Sequence, residues 1–490
     1  MTSPDPVHEE AWNAELRLPD ELNPVLLRET QSLYKGRIFP IFLVLSLASM
    51  VFASGVFLFE FSPRGSNGLD FLNVTLWFLA PVVLVLIPLQ AAQSVSEELR
   101  EGMGSVLLMS SMSPARIISG KIQASLLQLG VALGLFSPLL GIAYMLRGTD
   151  ALLIGGLLIA SVLGNLLATT FVVGLSAQAA VLKRPILTAL IIVGGLGGLT
   201  LAFLAQLDWI LVYAPMIVSA LLTPRGMAIW ISIYMALLIL SWLIGTSALT
   251  HPNENRATAF RIFHTVALLW SLALIFVFVR SRDWDFSIMI WCIVGATCSI
   301  PFFFAASTDP LRLSPRVRAH VPGRAPLLVT LFLPGSGRGL MYACAWSSIF
   351  GMAAAIASLG HTYGYETNLL VLTGILLYTL LYCSLACFVR SRLPLHISRN
   401  WITRLLILLL VGLVCFVPLL IQAPFGHMEW NILHIGNPFW TIAHVEARRE
   451  VGPLVVAGIL VAFLLHANRT NLLGSWREIR DLVPARRRQS

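Results

Sequence analysis

Charge is missing from twelve long stretches of this chain, and their length and spacing constrain the fold more than anything else in the sequence. The stretches without Asp, Glu, Lys or Arg are Phe39–Phe59, Phe71–Ala92, Ile122–Leu146, Ala151–Leu182, Pro185–Leu207, Gly226–Asn253, Ile262–Val279, Phe286–Thr308, Gly339–Gly360, Thr367–Val389, Leu405–Met428 and Val451–Asn468. A run of roughly 18 or more apolar residues can cross the hydrocarbon core as a helix that satisfies its own backbone hydrogen bonds. Only 12% of the 490 residues are charged and 57% are hydrophobic, with a mean hydropathy of +0.81. Soluble domains are about a quarter charged, so this chain has too little polar surface to cover a globule in water. The pattern predicts an all-α polytopic membrane protein with about 12 transmembrane helices.

The flanking charges predict an orientation. With the N-terminus in the cytosol, the inside segments hold 26 and the outside loops 7 of the 33 Lys and Arg residues. Cytosolic loops are enriched in Lys and Arg, so both termini are expected inside. The same bias accounts for the net charge of +9 through loops beside anionic lipid, and nucleic acid is not needed as a partner. Residues 1–30 are acidic and polar and lack the short apolar core of a cleavable signal. The first span is therefore expected to direct the chain to the membrane. All six cysteines lie in predicted spans, which speaks against a disulfide framework.

Residues 1–37 read as a cytosolic tail and an interfacial helix. Asn23 is placed to cap that helix, with Pro24 at its first position. Leu26, Thr30, Leu33 and Tyr34 fall near one face, with Arg28 and Glu29 among its polar groups. Residues 38–250 hold six spans, 251–261 connect, 262–468 hold six more, and 469–490 form a basic cytosolic tail. Trp209–Thr223 and Trp430–Val445 are uncharged but broken by Pro215 and by Gly436-Asn437-Pro438. They read as re-entrant or interfacial hairpins on the outer face. Their matching positions suggest two six-span halves. Gly194 and Gly198, with Gly195 and Gly197 between, have the spacing of close helix packing, within the chain or in a dimer.

Some chemistry is missing. Charges near the centre of a span mark ion or proton paths, and none occurs here. The sequence has no GxxxxGK[ST] phosphate loop. Gly335-Ser336-Gly337-Arg338-Gly339 is glycine-rich and reads as a flexible lead into the ninth span. The chain is expected not to be an enzyme and to hold no cofactor or metal. His264 and His466 read as interfacial, and Gln123, Gln128 and Asn165 as hydrogen bonders between helices.

The loop at 94–121 is the most distinctive segment. Acidic Glu97, Glu98 and Glu101 suit a helix start. A second short helix is expected from Ser113 and Pro114, with Ile117 and Ile118 on its apolar face, Arg116 and Lys121 supplying charge, and Gly120 allowing a turn into the membrane. Such a loop could carry a push from a soluble partner or simply anchor the second and third spans.

Here the sequence resembles the permease subunit of type-two ATP-binding-cassette (ABC) exporters. That family shows an Asn-Pro-Val-Leu-x-Arg-Glu element before span one, matched by Asn23-Pro24-Val25-Leu26-Leu27-Arg28-Glu29. It also shows a Ser-x-Glu-x-x-x-Gly segment, a Leu-Leu pair, a Ser near a Pro, and Ile-x-x-Gly-Lys before span three. Ser96, Glu98, Gly102, Leu107, Leu108, Ser113, Ile118, Gly120 and Lys121 follow that order, with Ile118 one place off. Met103-Gly104-Ser105 stands where the family has Thr-Leu-Glu. The resemblance covers residues 23–250.

It implies a transport subunit of the bacterial cytoplasmic membrane, driven by a separate cytosolic ABC ATPase. Docking would involve Glu97, Glu98, Gly102, Ser113, Pro114, Arg116, Ile117, Ile118, Gly120 and Lys121, together with the helix carrying Asn23, Pro24, Leu26, Arg28 and Glu29. ATP would be used by the partner, and pairing with a second copy or another permease is open. The alternative is a non-transporting scaffold or anchor of an envelope or motility complex. The second half shows no equivalent motif.

Overall fold

The computed structural model describes residues 23–35, 38–59, 67–100, 113–146, 149–182, 185–206, 222–251, 254–280, 283–321, 327–359, 365–393, 400–422 and 432–487, with a few single residues between 213 and 220. Among them every regular element is helical. The chain divides into two compact units, residues 1–251 and 252–490.

In the first unit, α1 (Pro24–Lys35) precedes α2 (Ile38–Phe59). Next come α3 (Asn67–Pro81), a π-helical turn at Val82–Leu86, and α4 (Ile87–Arg100). Pro81 has no N–H to give the preceding turn, and the ladder widens directly after it. The Val83 carbonyl in that turn accepts from the Asn165 amide at 2.7 Å. The unit continues with α5 (Pro114–Met145), α6 (Ala151–Leu182), α7 (Pro185–Ala205) and α8 (Pro224–Leu249). Met50, Phe71, Leu72, Ile87, Ala132 and Phe136 form a core sealed from solvent. At a second contact α6 and α8 nearly touch, and a Cβ on Gly174 would lie 3.0 Å from the Ser241 carbonyl.

The second unit holds α9 (Ala257–Phe278), α10 (Trp284–Ser307), the short α11 (Pro315–His320) and α12 (Leu327–Phe332), then α13 (Ser336–Ser358), α14 (Tyr365–Arg392) and α15 (Asn400–Gln422). A 3-10 turn at Ile432–Gly436 leads into α16 (Pro438–Arg448), followed by α17 (Gly452–Ala467) and α18 (Arg469–Arg487). Met289, Cys292, Phe303, Leu340, Phe350 and Leu372 are the centre of its core.

Among the described residues the charge-free runs fall on helix, with Phe71–Ala92 crossing α3, the π-helical turn and α4. Nine helices among the described residues are long and apolar enough to cross a membrane, or ten if the bent pair α17–α18 counts as one span. Outward faces are as apolar as the core: Ile159 on α6, Trp230 and Ile231 on α8, and Leu409 and Phe416 on α15 are exposed. Such faces match lipid and not water. The chain has the make-up of a multi-pass helical membrane protein.

The break expected at Gly436-Asn437-Pro438 is present. Asn437 caps α16 through its Oδ1, which accepts from the backbone N–H groups of Phe439 and Trp440 at 3.1 and 3.2 Å. The hydroxyls of Tyr378 and Tyr382 donate to the Ile435 and Gly436 carbonyls. Most of Trp209–Thr223 lies outside the described residues. The glycines at 194, 195, 197 and 198 have nothing within 4 Å of a Cβ placed on them. Among the described residues, no neighbouring helix is seated on these four glycines.

Candidate functional site

Charged side chains are expensive to bury, so the places where this apolar chain buries them stand out. The first lies where α1, the last turn of α4 and the first turns of α5 meet. Lys121 on α5 is 2% exposed. Its ammonium sits 2.6 Å from Glu29 of α1 and 3.1 Å from Glu98 of α4, and it donates to the Ser94 hydroxyl at 2.9 Å. Arg28 of α1 pairs with the other oxygen of Glu98. Asn23 completes the junction, its amide donating to the Arg116 carbonyl at 2.7 Å and to the Ser119 hydroxyl at 3.3 Å. One cation between two carboxylates, with a second cation at the rim, closes the local charge balance.

Two local features bring these groups together. Asn23 caps α1 through its Oδ1, which accepts from the Val25 N–H at 3.1 Å, with Pro24 at the first helical position. That start sets Val25 and Glu29 one turn apart on the same face, and both are buried. The second feature is Gly120. A Cβ there would lie 2.7 Å from Val25 Cβ and 2.9 Å from the Asn23 amide nitrogen. Gly120 is thus the seat for α1.

Several expectations change. The helix from Ser113 is not a short one that turns at Gly120. Ser113 caps it as expected, its hydroxyl accepting from the Arg116 N–H at 3.3 Å. It then runs unbroken through Gly120 to Met145, because inside an apolar span each backbone group needs its partner along the helix. Ile117 and Ile118 form the expected apolar face, and it packs within the chain. They are buried with Val95, Ile122, Val173, Ala177, Ala248 and Leu249. Glu98, Gly120 and Lys121 are buried too, whereas Glu97, Ser113 and Arg116 are exposed. On α1 the seated face carries Val25 and Glu29; Leu26 is half-buried, and Pro24 and Arg28 are exposed. Gly102 and the rest of 101–112 lie outside the described residues. Ser94 and Val25 were missed. Ser94 lies one turn before Glu98, which placed it on the carboxylate's face.

The second unit has a junction of the same kind. At the C-terminal end of α10, Asp309 pairs with Arg261 of α9 at 2.7 Å. Arg261 also donates to the Leu331 and Leu333 carbonyls at 2.7 and 2.6 Å. Burial raises the Asp309 carboxyl above its ordinary range against the pull of Arg261 and Arg404. In the first turn of α13, Arg338 is 1% exposed. It pairs with Glu478 of α18 at 2.8 Å and donates to the Ser475 carbonyl at 3.1 Å. A Cβ on Gly337 would lie 2.9 Å from the Asn471 carbonyl.

The Gly335–Gly339 stretch is therefore not a flexible lead. From Ser336 on it is the buried first turn of α13. Ser119-Gly120-Lys121 and Ser336-Gly337-Arg338 occupy the same place in their units. Each seats a polar helix on its glycine and clasps a glutamate of that helix with its cation. Each unit also pairs an acid at the end of its preceding long helix with an arginine nearer the unit's start. This repeated triplet was the sequence signal for an equivalent motif in the second half.

No family model, curated protein or solved structure matches this chain.

The predicted polar links divide. Gln128 donates to Gln90 at 2.9 Å, and Gln123 is exposed. His264 is buried within the second unit, 2.7 Å from the Tyr342 hydroxyl and 2.8 Å from the Ser299 hydroxyl. His466 is exposed.

Proposed function

We propose that this chain is the membrane permease of an ABC exporter, driven by a separate cytosolic ATPase. The reading rests on the junction of α1, α4 and α5. Its exposed rim, Glu97, Ser113 and Arg116, sits directly on a buried clasp built on Lys121. A push on that rim is passed to α5 and α1 together, because the Lys121–Glu29 and Lys121–Glu98 pairs tie the three helices. Ile117 and Ile118 extend the same unit into α6 and α8. Nucleotide chemistry belongs to the partner, and the permease converts the partner's closure into a shift of its spans. Residues 94–121 are the coupling segment, on the cytosolic side of the bacterial membrane.

The test uses two exposed positions, so that folding is not disturbed. The chain is co-purified with a candidate ATPase, and ATP hydrolysis is measured in proteoliposomes with and without Glu97→Arg and Arg116→Glu. Association and stimulation by the unsubstituted chain, both lost on charge reversal, support the reading. Association that survives both reversals would refute docking at this rim. Association without any stimulation would favour the scaffold alternative.

A further inference from the structure

The C-terminal helix α18 has two unlike faces. Asn471, Ser475 and Glu478 face inward. Glu478 holds Arg338 and Arg318 at 2.8 and 2.7 Å and accepts from the Leu313 N–H at 3.3 Å. The opposite face presents Leu473 and Trp476, 53% and 42% exposed, one turn apart, with exposed Arg469 and Arg477 beside them. The helix leaves the apolar α17 at a bend of 48°. Arg316 and Arg318, 62% and 44% exposed, stand on the segment that Glu478 gathers in.

We propose that α18 is an interfacial helix that docks on an anionic lipid surface, with Leu473 and Trp476 at the headgroup boundary and Arg469 and Arg477 on lipid phosphates. Charge complementarity selects this occupant. A leucine and a tryptophan flanked by arginines, on a helix joined directly to the apolar α17, match the headgroup region. The inner face gives the docking a consequence. Glu478 is the clasp on the first turn of α13, so lipid that holds α18 also holds α13. It is the second unit's counterpart of α1, placed after the spans instead of before them. The proposal does not depend on an ATPase.

The test places the full chain in nanodiscs of phosphatidylcholine alone or with added phosphatidylglycerol. A bimane label on Leu473→Cys is read against the unsubstituted chain, which gives the background from native thiols. The expected result is quenching by a lipid with a shallow doxyl label, shielding from aqueous iodide, and a clear gain of both with phosphatidylglycerol. Arg469→Gln with Arg477→Gln should remove that gain, by about five-fold in the ratio of docked to undocked helix per arginine. Access by iodide in both lipids would overturn the proposal, since the helix would then lie in water. Shielding from both quenchers would also overturn it, because protein would cover the face. Equal lipid quenching in the two discs would overturn the anionic preference.

Discussion

Lys121→Met tests the clasp most severely. Methionine keeps the length of the side chain and removes the charge, leaving Glu29 buried without its cation, while Glu98 retains Arg28. Breaking a buried pair by removing one partner costs about 3–5 kcal/mol, much of it from the stranded charge. Lys121 and Glu29 are 2% and 9% exposed at the side chain, so solvent screens little of this. The loss should fall on the docking of α1, since α5 is also held by the apolar core. At about 1.4 kcal/mol per tenfold, amide protection across residues 24–35 should drop by about 100-fold to a few thousand-fold in hydrogen exchange of the purified protein. Lys121→Met with Glu29→Gln removes the stranded charge and should recover at least half of that drop on a logarithmic scale. A change of less than about fivefold, the range of a solvated surface pair, would refute the reasoning. So would a double variant no better protected than the single one.

Gly120→Ala puts a Cβ 2.7 Å from Val25 Cβ and should loosen α1 by about 1–3 kcal/mol, read as faster exchange at 24–35 with α5 unchanged. Ile118→Ala should cost about 2–5 kcal/mol as a core cavity, lowering the unfolding temperature in detergent; an unchanged temperature would mean that Ile118 is not core. Asn437→Ala removes the α16 cap and a bond to the Cys415 carbonyl at 3.2 Å, at about 1 kcal/mol, with faster exchange confined to 438–448. Arg338→Met should release α18, and exchange at 469–478 should rise as exchange at 24–35 does for Lys121→Met.

The helices were legible because charge in hydrocarbon is costly enough to leave gaps of the right length. The first clasp was partly legible for a related reason. Asn23, Glu29, Glu98 and Lys121 are polar groups at the edges of apolar runs, and a chain this apolar places them there for a purpose. What could not be read was the direction of each face. Ile117 and Ile118 look the same in sequence whether they meet a partner, lipid or their own chain. Val173, Ala248 and Leu249, far along the chain, decide it. The turn expected at Gly120 failed because a small residue can mean a bend or a seat, and only the approach of Val25 distinguishes them. The second clasp escaped notice because Arg338 finds its carboxylate 140 residues later. Nothing local to Ser336-Gly337-Arg338 announces that partner.

The central claim is that an ATPase docks at the rim above the first clasp, and site-specific photo-cross-linking tests it most directly. A photo-reactive phenylalanine is placed at Arg116, beside the clasp, or at exposed Arg225, in the first turn of α8 and at the opposite end of that helix from Ala248 and Leu249. The adducts formed in the native membrane are identified by peptide sequencing. The account predicts a polypeptide carrying a nucleotide phosphate loop at position 116 and none at 225. An adduct with such a protein at 225 alone, or at neither position, would contradict it.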